Sequence, residues 1–190
     1  MNQLLACAEA FQRLEDIEYR IVIGRKGKPM ELQIRFPTRN FHHLAGLHKL
    51  RDLTLATENR EKVFQQILDG RITYTHLMKS AYFNESKKRI EPLSCLELLL
   101  DTNQLIFRYN EKKQVFSLIQ ADFLLSTLLN DNDIYVFMSK SEDGTYFCRS
   151  LFPKDGIDYT RGQAKYTLLY KEKINRSTGV IEVQYDRLHN

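Results

Sequence analysis

Two stretches of alternating hydrophobicity lie close together near the start of this chain: Ile17, Tyr19, Ile21 and Ile23, then Met30, Leu32, Ile34 and Phe36. A period of two sends every second side chain to one face of an extended strand. Residues 24–29 between them read Gly-Arg-Lys-Gly-Lys-Pro, the residue types that reverse a chain. The pattern predicts a β-hairpin with a basic tip, and its apolar face requires a second layer to cover it.

Helical spacing surrounds the hairpin. Residues 3–17 carry Leu4, Ala8, Phe11 and Leu14 three or four apart. Pro37 ends the second strand, and Thr38 or Asn40 is placed to cap a helix over the residues that follow. Residues 58–69 predict another, with Val63, Phe64, Ile67 and Leu68 facing inward and Gly70 as its stop. A third is expected near residues 74–82. Pro92 is expected as the first residue of a fourth, which turns Leu93, Leu96, Leu99 and Leu100 to the core.

After residue 101 strand signals return. Residues 105–109 and 115–119 flank a polar turn at 110–113, and residues 121–129 read as a short helix or irregular structure. Two hairpins follow: 134–140 with 145–152 around Ser-Glu-Asp-Gly, and 165–174 with 180–185 around Asn-Arg-Ser-Thr-Gly. Apolar residues on both faces of 134–140 predict a central strand. The expected fold is one α+β domain over residues 1–190, a twisted antiparallel β-sheet packed with several helices. Its parts are an N-terminal helix and hairpin (3–36), a helical middle (40–101) and a C-terminal β-meander (104–186).

A chain of 190 residues, 43% hydrophobic and 27% charged, can bury a core without staples and is not of disordered composition. Cys7, Cys95 and Cys148 are odd in number and widely spaced, so they read as reduced thiols in a cytoplasmic chain. Burial explains them better than nucleophilic work, although a Cys/His pair stays open. No apolar run approaches the roughly 20 residues that cross a bilayer, and no membrane association is expected. The formal net charge of +4 is gathered partly into two clusters, Arg25, Lys26 and Lys28, then Lys87, Lys88 and Arg89, which suit a polyanion or a solvated turn equally. The fingerprints of dinucleotide binding, P-loop phosphate binding and the hydrolase elbow are all missing, which argues against a conventional small-molecule enzyme.

The chemistry-bearing stretch is Asn-Phe-His-His-Leu-Ala-Gly-Leu-His-Lys-Leu over residues 40–50, which holds three of the five histidines. Imidazole is the side chain suited to proton transfer near neutral pH. On a continuous helix His43 would lie within roughly 40° of Leu47 and Leu50 and face the core, while His42 would align with Lys49. His48 would flank the buried face, so the three rings would not converge. Spacings of one, five and six residues do not supply the i, i+4 pair of a helical zinc site, so neither a metal nor another cofactor is expected. Core histidine remains the competing reading of His43.

The segment Phe41-His42-His43-Leu44-Ala45-Gly46-Leu47-His48-Lys49-Leu50, after a hairpin and before helices and a late meander, resembles the PBECR4 family, the fourth phage group of barnase, EndoU, colicin E5/D and RelE-like nucleases. That resemblance implies a barnase/EndoU/colicin/RelE-like fold and a metal-independent ribonuclease of phage or mobile-element origin, acting as a toxin or effector. It also implies RNA, tRNA included, as substrate and an immunity or antitoxin protein as partner. Only His43, His48 and Lys49 are placed on the motif, as catalytic candidates, with His48 the favoured base. Arg149, Tyr159, Arg161 and Lys165 are substrate-binding candidates from their chemistry: cations for phosphate, a tyrosine to stack on a base. The alternative is a catalytically silent prophage protein that binds RNA or a protein partner.

Overall fold

The hairpin forms where the alternation places it. In the computed structural model, which describes residues 2–114 and 117–189, β1 (Ile17–Arg25) pairs antiparallel with β2 (Lys28–Arg35), from Tyr19 opposite Ile34 to Arg25 opposite Lys28. Before it runs α1 (Gln3–Arg13), shorter than the periodicity predicts and capped by the Asn2 side chain. After it come α2 (Phe41–Leu44), α3 (Arg60–Leu68), α4 (Tyr74–Leu77), α5 (Phe83–Ser94) and α6 (Leu96–Asp101). Asn59 caps α3 by accepting a hydrogen bond from the Lys62 amide at 2.9 Å, and Gly70 follows its end at φ 73°.

Pro92 does not begin a helix. It lies inside the last turn of α5, whose path ends at Cys95 with φ −104°, and α6 restarts at Leu96. A proline in the last turn gives up the bond its amide would make to the Lys88 carbonyl and crowds that carbonyl, which fits a break soon after it; Leu93, Leu96, Leu99 and Leu100 are buried on either side of the break while Leu98 is exposed.

The remaining strands are β3 (Leu105–Arg108), β4 (Phe123–Leu129), β5 (Asn132–Lys140), β6 (Tyr146–Pro153), β7 (Ala164–Asn175) and β8 (Ile181–Asp186). Two expectations change here. Residues 121–129, read as helix or irregular, supply β4, which pairs with β3 from Leu105 opposite Ser126 to Arg108 opposite Phe123. The expected strand at 115–119 lies partly outside the described residues, and 117–119 are not in a strand. Phe123, Leu124 and Leu125 are all buried, so this run packs on both faces and carries no clean alternation.

The larger correction concerns the sheet. The expected twisted antiparallel sheet closes on itself: the strand order β1-β2-β6-β5-β4-β3-β7 returns to β1, so seven strands form a barrel among the described residues and β8 hangs on β7. Closure comes from the length of β7. Its first residues pair with β3, Ile106 opposite Tyr166, and the rest pair with β1, from Gly24 opposite Thr167 to Ile17 opposite Asn175. The β2–β6 pairing is parallel, through Ile34 opposite Tyr146.

Ile134, Val136 and Met138 of β5 join the main core with the helices, whereas Tyr135 and Phe137 on the other face join a small aromatic cluster with Phe107, Tyr109 and Leu124. The central position expected for β5 is therefore met, between β4 and β6. Asp101, at the end of α6, accepts hydrogen bonds from Tyr19 Oη at 2.6 Å and Lys173 Nζ at 3.0 Å. Lys171 is fully buried beside them and donates to the carbonyl oxygens of Leu100, Asp101 and Thr102 at 2.8, 3.1 and 2.5 Å. A lysine thus serves as the C-cap of a helix, and meets both the unpaired carbonyls and the negative end of the helix dipole.

Candidate active site

The histidine segment is not one helix. Phe41 anchors it, fully buried, with its ring 4.9 Å from Phe64 of α3 and 5.6 Å from Phe11 of α1. α2 then runs for one turn before Gly46, at φ 73°, reverses the chain, and Leu47–Lys49 forms a 3-10 turn. The left-handed backbone at Gly46 suits glycine, and the packing there leaves no room for a side chain. Ser86 Oγ donates to the Ala45 carbonyl at 2.6 Å and ties this turn to α5.

The reversal overturns the expectation that the imidazoles diverge. His43 and His48 stack, with ring centroids 4.1 Å apart and planes 10° apart. On an uninterrupted helix residues five apart would be about 140° apart around the axis. His42 goes the other way: it is buried and its Nε2 donates to the Leu55 carbonyl at 2.8 Å. The core histidine is therefore His42, and His43 is only half-buried.

His43 lines a cleft of about 360 Å³ with Arg39, Asn40, Arg60, Cys148 and Arg149. None of the three arginines forms an ion pair among the described residues. Arg39 and Asn40 arrive from the 3-10 turn after β2, Arg60 from the first position of α3, and Arg149 from β6. A β-bulge positions Arg149: Ser150 pairs with Phe137 and Cys148 with Met138, so Arg149 is the extra residue. Bulges re-aim a side chain that alternation would send elsewhere, and Arg149 is exposed between two buried neighbours.

Burial and nearby cations keep both stacked imidazoles neutral at pH 7. For His43, desolvation and then Arg89, Arg149 and Arg60 bring the pKa down to about 4. For His48, desolvation followed by His43, Arg89 and Lys49 brings it to about 3. Arg89 of α5 is held half-buried beside the pair, its Nη1 donating to Ser150 Oγ at 3.1 Å and its guanidinium 5.4 Å from the Phe152 ring. Burial pushes the Cys148 thiol up to about 12, so this cysteine offers no thiolate to a Cys/His pair.

The other candidates divide. Lys49 and Tyr159 line a second cleft with Glu85, Arg89 and Phe152. Lys49 is already committed there to Glu85, Nζ to Oε2 at 3.0 Å. Tyr159 is half-buried and meets the aromatic cluster edge to face, 5.5 Å from Tyr135 and Phe137 and 5.6 Å from Phe152. Arg161 and Lys165 are exposed and line neither cleft. Sequence reading missed Arg39, Arg60 and Arg89 as site residues. Arg39 stands four positions before His43, and Arg89 belongs to the basic cluster at 87–89, which suits a polyanion but does not point to the histidines; Arg60 comes from a helix outside the segment and carries no such signal.

Among the described residues no group of three His, Cys, Asp or Glu side chains is arranged to hold a metal ion, and no helix is long and apolar enough to cross a membrane. What the cleft offers is a neutral imidazole facing three unpaired guanidinium groups, an arrangement that attracts a phosphodiester and repels a metal cation. A family model described as phage-Barnase-EndoU-ColicinE5/D-RelE like nuclease4 (PBECR4) matches residues 3–188. No curated protein and no solved structure matches the chain.

Proposed function

The chain belongs to the PBECR4 family of phage-type nucleases, and on that footing we propose that it is a metal-independent ribonuclease with His43 as its general base. The observation that carries this reading is the stacked, neutral His43–His48 pair at the edge of a cleft lined by Arg39, Arg60 and Arg149. A base must be unprotonated before it can act, and the depressed pKa of His43 keeps it so at pH 7.

In the proposed reaction His43 takes the proton of the 2′-hydroxyl. The 2′-oxygen then bonds to phosphorus, and the bond from phosphorus to the 5′-oxygen breaks. The same imidazole returns its proton to that leaving oxygen, which gives a 2′,3′-cyclic phosphate and a free 5′-hydroxyl. The arginines balance the charge that gathers on the phosphorane. Docking of the anion also offsets the cations that hold the imidazole pKa down, so His43 is better able to carry a proton once substrate is bound. His48 supports the ring by stacking, and a second proton on so close a pair is opposed by like charge. This moves the favoured base from His48 to His43, because His43 is the ring that lines the cleft.

RNA cleavage of this kind acts in the cytoplasm, and a cell that makes the protein needs an immunity or antitoxin protein to cover the cleft. The test is incubation of the purified protein with total RNA and tRNA in EDTA. Cleavage that survives EDTA, leaves 2′,3′-cyclic phosphate ends and is lost in a His43→Ala variant with unchanged melting is the expected result. A folded wild-type protein that cleaves no RNA would leave the silent RNA- or protein-binding reading in its place.

A further inference from the structure

The turn between β1 and β2 carries a second group of cations. Arg25, Lys26 and Lys28, joined by Arg187 from the segment after β8, line one groove of about 510 Å³ together with Leu169 and Leu188. None of the four has a carboxylate partner among the described residues; Arg25 lies 6.0 Å from the Tyr166 ring centroid. Asp186, next to Arg187 in the chain, is engaged by His189 Nδ1 at 2.8 Å. Farther along the same hairpin the pattern differs: Arg20 pairs with Glu31 at 2.9 Å and Arg35 with Glu18 at 2.6 Å.

The backbone adds an independent observation. Lys26 sits at φ 51° and Gly27 at φ 73°, the two central positions of a two-residue hairpin turn. Asparagine, aspartate or glycine is the usual residue at the first of these, because a lysine there is strained. A cation stands where the turn itself would favour asparagine, aspartate or glycine.

The groove and the histidine cleft lie at opposite ends of β2. Pro37, Arg39 and Asn40 of the cleft follow its last residue, and Lys28 is its first. Seven steps at a strand's rise separate the two by about 23 Å. We propose that this groove is a second RNA-binding surface, which takes the phosphate backbone of a folded RNA long enough to reach the cleft as well. The proposal rests on the ribonuclease reading for its ligand class. A trinucleotide fills the cleft alone, whereas a folded RNA engages both.

The experiment compares wild-type protein with a Lys26→Asn, Lys28→Thr, Arg187→Gln variant, whose turn residue is the one the backbone prefers. Binding of a 2′-O-methyl RNA hairpin, which lacks the attacking hydroxyl, is followed against salt, and cleavage of a trinucleotide is measured beside it. The expected result is hairpin affinity at least about tenfold weaker, with a slope of log K against log salt shallower by about 2 to 3, the loss of three cation–phosphate contacts. Trinucleotide cleavage should be unchanged. Unchanged hairpin affinity and slope overturn the proposal, as does wild-type protein that binds no folded RNA. If neither protein cleaves the trinucleotide, the catalytic reading fails while hairpin binding still decides the groove. Loss of binding to anionic phospholipid vesicles with RNA binding intact would assign the groove to a lipid surface and also overturn it.

Discussion

A Cβ at Gly46 would stand 2.8 Å from Cδ of Arg89 and 3.1 Å from the Glu85 carbonyl oxygen. Arg89 cannot easily retreat, since its guanidinium donates to Ser150 and Leu151 and lies over Phe152. Gly46→Ala therefore combines a clash with a left-handed backbone, and should destabilise the protein by about 2 to 4 kcal/mol. Urea unfolding measures it. A cost below about 1 kcal/mol would mean that the turn adapts and that the histidine stacking does not depend on it.

The pH dependence of cleavage should report the depressed His43. An exposed histidine gains its proton near pH 6.5, and its activity as a base would fade below that. With the pKa lowered to about 4, His43 stays unprotonated through pH 5, so kcat/KM for a short RNA should hold level from pH 7 to 5 and fall only near pH 4. A half-maximal point near 6.5 would show that the free protein does not depress this group.

Arg149 has no ion pair to lose and is exposed, so its removal should leave folding intact. Arg149→Ala is expected to lower kcat/KM by about 10² to 10³, the scale of losing one donor to a developing anion. Arg149→Lys should recover only part, because a point charge does not reproduce the planar fork. Thermal melting of both variants separates this from a folding defect.

Lys171→Met would strand three carbonyls of the α6 terminus that its ammonium now satisfies. The expected loss is about 2 to 4 kcal/mol, since buried acceptors left unpaired outweigh the added apolar contact. Chemical denaturation reads this directly, and a neutral or stabilising outcome would show that water replaces the ammonium.

How far the sequence speaks depends on how local each determinant is. The β1–β2 hairpin was legible because period two and a Lys-Gly turn act within a few residues. β4 was not, because Phe123, Leu124 and Leu125 are buried in succession and alternation vanishes when both faces are covered. Barrel closure was invisible for a related reason: Ile17 meets Asn175 across the whole chain, and nothing near either residue announces it. The same holds in the site. His43 and His48 stand on the motif that carries the family resemblance, but their stacking hangs on a single glycine that a continuous helix ignores. Arg149 was named too, and the bulge that aims it depends on register with β5.

The closing seam between β1 and β7 also sets an order of events. The first strand waits unsatisfied along one edge until residues 164–175 exist to zip against it, and β3 waits with it. Such sequence-distant pairing folds slowly, and unpaired strand edges invite association with other chains. On a ribosome the ring therefore shuts only once residues 164–175 have emerged, so a chain cut short before residue 164 would be an adhesive fragment with two bare edges.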